Sequence, residues 1–192
     1  MQKHYISSDQ LLRDSMQLAL KVIASEWHPT LVVGIWRGGA PVGVHLQEVL
    51  SFAGIPTDHF CIRTSSYSGI GSRTRIVVEG LLELVPRLGP DTKLLLVDDV
   101  HDTGLSLQQL QLEIRERHPQ PFDMRTAVPY FKPVANRTAN TPDYYVHSTE
   151  DWLVFPHEIV GLTDAEILEC KPELGALAPH LLGLRKPVRK AS

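Results

Sequence analysis

Residues Leu94–Ser106 read LLLVDDVHDTGLS. Lys93–Val97 packs three leucines and a valine together and reads as a buried strand, which turns abruptly acidic at Asp98-Asp99. Asp102, Thr103, Gly104, Leu105 and Ser106 then open a helix, with Leu107, Leu110 and Ile114 on one face and glutamines on the other. Backbone N–H groups at a helix start, a glycine that lets backbone come close, and two hydroxyls make a cradle for phosphate. Two carboxylates beside such a cradle suit ribose hydroxyls, or a hydrated Mg²⁺ shared with the phosphates of a ligand.

Strands and helices alternate outward from this stretch. Leu12, Met16, Ala19, Val22 and Ile23 recur at helical spacing behind Ser7 and Ser8, which predicts an amphipathic helix over 9–26 with a serine cap, stopped by Pro29. Leu31–Trp36 reads as a buried strand, and Arg37-Gly38-Gly39-Ala40 as a turn. Pro41 stands where a first helical residue should, and Val42, Leu46, Val49, Leu50 and Ala53 form one face of a second helix. Asp58–Arg63 and Arg75–Glu79 read as strands, with Thr64–Ser72 a polar loop between them. Phe122–Val128 and Tyr144–His147 are further strands, and Asn136–Pro142 is loop. Thr163-Asp164-Ala165-Glu166 has capping-box spacing and opens a short helix before Pro172. This rhythm predicts an α/β fold with a central, mostly parallel twisted sheet flanked by helices. In such sheets ligands bind beyond the carboxyl ends of the strands, where Arg37–Ala40 and Asp98–Ser106 both lie.

Composition narrows the function classes. The 192 residues, 43% apolar and 21% charged, suffice for one domain with a full core. No apolar run approaches the roughly 20 residues of a membrane-spanning helix, and no signal core follows Met1. Cys61 and Cys170, far apart in sequence, make neither a disulfide scaffold nor a zinc knuckle, and a cytoplasmic location is expected. A net charge of -3 argues against nucleic-acid binding. Arg185, Lys186, Arg189 and Lys190 give a basic tail over 185–192, expected to be a solvated, flexible terminus. The nine histidines lack a two-His-on-one-helix metal spacing. The segment Gly34–Gly39 is no Walker loop, since no Gly-Lys-Ser/Thr follows it.

VDDVHDTG resembles the phosphoribosyl-pyrophosphate (PRPP) signature of the type I phosphoribosyltransferases: an apolar strand, two acids, two variable residues, then Asp-Thr-Gly. The resemblance extends over roughly residues 4–160. Trp36-Arg37-Gly38-Gly39 is similar to the family's pyrophosphate loop, often held there by a non-proline cis peptide, which would fall at Trp36–Arg37. Thr64-Ser65-Ser66-Tyr67 resembles the start of its mobile catalytic loop, Phe131-Lys132-Pro133 its purine-type lysine segment, and Asp151–Glu158 the base-binding hood segment of the 6-oxopurine enzymes.

The resemblance implies a purine-salvage enzyme that joins a 6-oxopurine (hypoxanthine or guanine, possibly xanthine) to PRPP with the aid of Mg²⁺. PRPP and its pyrophosphate would be held by Arg37, Gly38, Gly39, Asp98, Asp99 and Asp102–Ser106. Asp98, Asp99 and Glu158 would hold metal. Asp102 would be the general base near purine N7, and His101 a spectator. Ser66, Tyr67 and Arg73 or Arg75 would belong to a lid that excludes water. Lys132 would donate to the 6-oxo group, Trp152 would stack on the base, and the backbone of Leu153 would read its edge. Residues 1–160 would form the transferase domain, with a small hood built from N-terminal residues and about 130–160, and 161–192 an extension. A homodimer or homotetramer is implied. A PRPP-sensing regulator of the same fold would need a nucleic-acid surface, and no basic stripe is present apart from the tail. Lys132 with Trp152 argues against a transferase for another base.

Overall fold

The protein is described by a computed structural model that covers residues 3–68 and 74–185. Its main sheet contains β2 (Leu31–Trp36), β3 (Asp58–Ser68), β4 (Thr74–Glu79), β5 (Lys93–Val97), β6 (Val100–His101), β7 (Asp123–Phe131) and β8 (Tyr144–Ser148). The order is β4-β3-β2-β5-β7-β8, and β6 continues along β7 beyond the end of β5. All pairs are parallel except β3 with β4.

Parallel strands covered on both faces need continuous apolar runs, and Leu31–Ile35 and Leu94–Val97 supply them. Leu31, Val33, Ile35, Leu94 and Leu96 point to one core, shared with α3 (Leu81–Leu84) and with Leu107, Leu110 and Ile114 of α4 (Leu105–Arg117). Helix α2 (Gly39–Phe52) packs on β2, β5 and β7 and buries Val42, Leu46 and Leu50. Helix α1 (Ser8–Ala24) is capped as expected, with the Ser7 hydroxyl accepting the Gln10 N–H at 3.1 Å.

Three boundaries differ from the sequence reading. Residues 64–68, read as loop, extend β3 into an antiparallel ladder with β4, from Arg63↔Glu79 to Ser68↔Thr74. A ladder of backbone hydrogen bonds at a sheet edge needs no apolar side chains, so polarity misled there. Strand β7 runs past Val128 to Phe131 through Pro129. Its partners change from Val97↔Ala127 to Val100↔Tyr130, so the missing proline N–H falls where the ladder is interrupted beside Asp98-Asp99. Helix α2 starts at Gly39, which leaves Pro41 inside the first turn, where a proline costs no intrahelical bond.

The chain divides into two compact units, Leu12–Glu150 and the described part of Met1–Leu11 with Asp151–Ser192. Residues 130–150, expected in the hood, belong to the larger unit because β7 and β8 pair there. The smaller unit joins β1 (Lys3–Tyr5) in parallel to β9 (Trp152–Val154). Its core is Val154, Leu162, Ile167 and Ala178, with Tyr5, Leu174 and Leu182 against it. The extension therefore supplies most of that core through α5 (Asp164–Cys170) and α6 (Ala178–Gly183). The capping box is formed: the Thr163 hydroxyl accepts the Glu166 N–H at 3.2 Å, and Glu166 Oε2 accepts the Thr163 N–H at 2.8 Å. Lys3 and Tyr5 both donate to Glu166 Oε1.

Hydrogen bonds from the Lys3 side chain, the Thr163 backbone and the Tyr5 hydroxyl hold the Glu166 carboxyl down at about 2, against an ordinary 4.5. A depressed carboxyl stabilises the fold above its unfolded pKa and loses that contribution as the folded group protonates. The smaller unit should therefore weaken as pH falls from about 4.5 to about 2, and Glu166→Gln should abolish that dependence in unfolding measured against pH. Thr163→Ala should cost about 1 kcal/mol at neutral pH, the usual loss for an N-cap.

Candidate active site

Parallel pairing of Leu31↔Leu94 through Gly34↔Val97 brings the carboxyl ends of β2 and β5 out side by side. The segments Trp36–Gly39 and Asp98–Gly104 therefore leave the sheet at one edge. The peptide Trp36–Arg37 is cis. A Cβ on Gly38 would lie 1.9 Å from Asp99 Oδ2, and one on Gly39 2.1 Å from the Val97 carbonyl oxygen. At Gly39 the obstacle is backbone and admits no side chain, whereas at Gly38 it is the Asp99 side chain. The approach lets the Gly39 N–H reach the Asp98 carboxylate, which also accepts the Asp99 N–H at 3.0 Å. Desolvation, then the charge of Asp99 alongside, pushes the Asp98 carboxyl well above the usual range, while those two N–H groups pull it back.

The next loop is held from above. Gly104 caps α4 with φ 75°, and a Cβ there would meet His101 Nε2 at 2.5 Å, Thr138 Oγ1 at 2.8 Å and Asn136 Oδ1 at 2.9 Å. The Thr103 carbonyl accepts the Arg137 N–H at 3.0 Å. His101, 3% exposed, lies edge-on to Phe131, and burial lowers its pKa and keeps it neutral. No side chain caps α4, so its first N–H groups face a cavity of about 210 Å³ lined by Asp98, Asp99, Asp102, Thr103, Gly104 and Ser106. Leu105 begins the helix beside them.

Lys132 follows β7 at the same edge. Its N–H donates to the His101 carbonyl at 2.9 Å, and its Nζ lies 3.2 Å from Asp102 Oδ2. The lysine is 8% exposed, whereas the Asp102 side chain is half exposed. The strand that delivers Lys132 is fixed by Asp14 of α1, which accepts from the Tyr130 hydroxyl at 2.6 Å and bonds His147 Nε2 at 2.8 Å. Ser66 and Tyr67 occupy β3 rungs opposite Ile76 and Arg75, with only their backbone described. Arg73 and residues 186–192 lie outside the described residues.

The smaller unit holds the remaining candidates. Trp152 stands 56% exposed on β9. Val154 O accepts the Ile6 N–H at 2.9 Å, so the alternation of the strand turns the Leu153 N–H and C=O toward the other edge of this two-stranded sheet. Glu158, expected as a metal ligand, closes its own turn: Oε2 accepts the Phe155 N–H at 3.0 Å. Among the described residues no three His, Cys, Asp or Glu side chains are grouped to hold an ion.

Comparison with known proteins decides the family. The phosphoribosyl transferase domain matches residues 2–161. The chain belongs to the phosphoribosyltransferase family. A purine phosphoribosyltransferase from Pyrococcus horikoshii is 29% identical, with a TM-score of 0.64 over 85% of this chain and 99% of that one. The xanthine-guanine-hypoxanthine phosphoribosyltransferase of Helicobacter pylori shares the fold at 22% identity and a TM-score of 0.63, over 80% of this chain and 92% of that one. A hypothetical protein from Neisseria gonorrhoeae with bound ppGpp gives a TM-score of 0.68 at 20% identity, over 93% of this chain and 97% of that one. The last match is too long to end at residue 160, so this phosphoribosyltransferase shares part of its extension with another chain. No curated protein matches its sequence. No described helix is long and apolar enough to cross a membrane.

The sequence alone does not show what packs around Gly104. Asn136 and Thr138 lie in the loop over 136–142, and together with His101 they crowd Gly104. The signal available was the glycine itself, placed where a helix cap is usually polar.

Gly39→Ala should be strongly destabilising, because the clash is with backbone that cannot turn aside. Gly43→Ala meets Gly34 Cα at an ordinary 3.6 Å and serves as the control. Thermal unfolding of both should show a fall of several degrees for the first and almost none for the second; equal shifts would refute the packing account.

Proposed function

We propose that this phosphoribosyltransferase acts in purine salvage, transferring the 5-phosphoribosyl group of PRPP to a 6-oxopurine, hypoxanthine or guanine with xanthine next. The observation that carries the reading is the Lys132–Asp102 pair, 3.2 Å apart at the sheet edge that also holds the glycine loop and the acid pair. A buried ammonium donates only, which suits a 6-oxo group, and a carboxylate beside it can accept a proton from the neighbouring purine nitrogen. The purine names of the Pyrococcus and Helicobacter proteins support the same substrate class.

In the proposed reaction a purine nitrogen bonds to C1 of the ribose, the bond from C1 to the pyrophosphate oxygen breaks, and Asp102 takes the proton of the base. The N–H groups at the start of α4, with Thr103 and Ser106, bind the 5-phosphate. Arg37 and the amides of Gly38 and Gly39 hold the pyrophosphate. Asp98 and Asp99 hold the ribose hydroxyls. As adjacent carboxylates lining a polar cavity they also suit a hydrated Mg²⁺ carried by the ligand, which when bound neutralises charge on the leaving group. Trp152 stacks on the base and the outward edge of Leu153 reads it. Ser66 and Tyr67 are assigned to a lid that excludes water. Glu158 is assigned to its turn. Two unpaired thiols, Cys61 and Cys170, support a cytoplasmic home. A homodimer or homotetramer is the assembly that the family resemblance implies.

Steady-state assay with PRPP and four bases tests the reading. Hypoxanthine or guanine should turn over and adenine almost not at all, since its 6-amino group would face the Lys132 ammonium with donor against donor. Asp102→Asn should lower turnover by about 10²–10⁴ at nearly unchanged PRPP affinity. Asp98→Asn with Asp99→Asn should abolish transfer and weaken PRPP binding measured by calorimetry, with the fold intact. A wild type that prefers adenine, or a Lys132→Ala protein that keeps the original preference, would overturn the substrate class.

A further inference from the structure

Lys171 lies beyond residue 161, outside the span matched to the family. At 1% exposure it is more deeply buried than any other charged side chain described. Its Nζ donates to the carbonyl of Phe155. The same carbonyl accepts the Glu158 N–H at 3.0 Å, and the Phe155 N–H donates to Glu158 Oε2 at 3.0 Å. Both lone pairs of that oxygen and the N–H of the residue are thereby used, and the turn 155–158 is closed on itself. The His157 ring stacks on Phe155 with only 10° between planes.

An ammonium buried with so little hydrogen bonding is expensive. Desolvation pulls its pKa down, and the charges of Glu173 and Glu158 offset only part of that. An unbranched apolar side chain of similar length would hold this core with no such penalty. What the lysine supplies instead is a fixed direction for one backbone oxygen, immediately after β9. Leu153, two residues earlier, has its N–H and C=O turned toward an edge covered by no other described strand. Its orientation is set by its neighbours: Val154, held by Ile6, and Phe155, held by Lys171 and Glu158.

We propose that Lys171 is a positioning residue of the base site: by pinning the Phe155 carbonyl it holds the Leu153 edge in the orientation that reads a purine. This rests on the assignment of Trp152 and Leu153 as the base platform. The extension is then a working part of substrate recognition.

The test is Lys171→Met in the full chain, with hypoxanthine and PRPP as substrates. Thermal stability should be unchanged or higher. The KM for hypoxanthine should rise about ten- to hundredfold, as expected when a contact is misplaced rather than deleted, with the KM for PRPP unchanged. Amide exchange of residues 153–158 should quicken. Glu158→Ala, which frees the Phe155 N–H and leaves the buried lysine in place, should give the same signature if the methionine protein does not fold. Unchanged KM and exchange, or KM values for base and PRPP rising together, would overturn the role of Lys171. A wild type inactive with every purine would overturn the substrate reading instead, and the exchange measurement would still decide whether Lys171 orders the segment.

Discussion

Two backbones meet at the carboxyl edge of the sheet with no room for a side chain between them. The loop after β2 presses Gly38 against the Asp99 carboxylate and Gly39 against the Val97 carbonyl. This contact requires β2 and β5 to be adjacent, parallel and in register, which in turn requires the apolar runs that bury both strands. It also explains why Asp98 stands in a desolvated place with backbone N–H groups turned toward it. The acid pair is thus shaped by the glycine loop as much as by its own strand. Moving either backbone by an ångström would part the glycine loop from the acid pair.

The position of Lys132 depends on a second set of constraints. Strand β7 carries the lysine beyond β5 by pairing with β6 on one side and β8 on the other. Buried Asp14 ties Tyr130 and His147 across those last rungs. Pro129 sits at the change of partner, where a proline is tolerated. The acids and the lysine are therefore set at a fixed separation by sheet register, and their chemistry inherits the rigidity of the core.

Much of this was legible in the sequence. Leu31–Trp36 and Lys93–Val97 were bounded to the residue, because strands buried on both faces carry uninterrupted apolar runs. The capping box at Thr163 was readable because its two partners are local. Residues 64–68 were not, since an edge ladder is made by backbone and leaves no mark on side-chain pattern. The larger unit's hold on 130–150 and the role of 161–185 in the smaller core were hidden for a different reason. Both depend on tertiary pairing rather than local pattern: β8 lies against β7, and Glu166 accepts from Lys3, 163 residues away. A single lysine between a cysteine and a proline gives no hint that it will be buried.

The pairing of residues 3–5 with 152–154 has a consequence for how the chain is made. A ribosome releases the amino terminus first, and domains generally fold as units as they emerge. The larger unit, contiguous from Leu12 to Glu150, can complete itself while the rest is still being synthesised. Lys3–Tyr5 must wait, unpaired, until β9 and then α5 and α6 follow. A nascent chain stalled near residue 150 would already hold its glycine loop, its acid pair and Lys132, while Lys3–Tyr5 still lacked the strand it pairs with. Translation thus completes the larger unit before the smaller one.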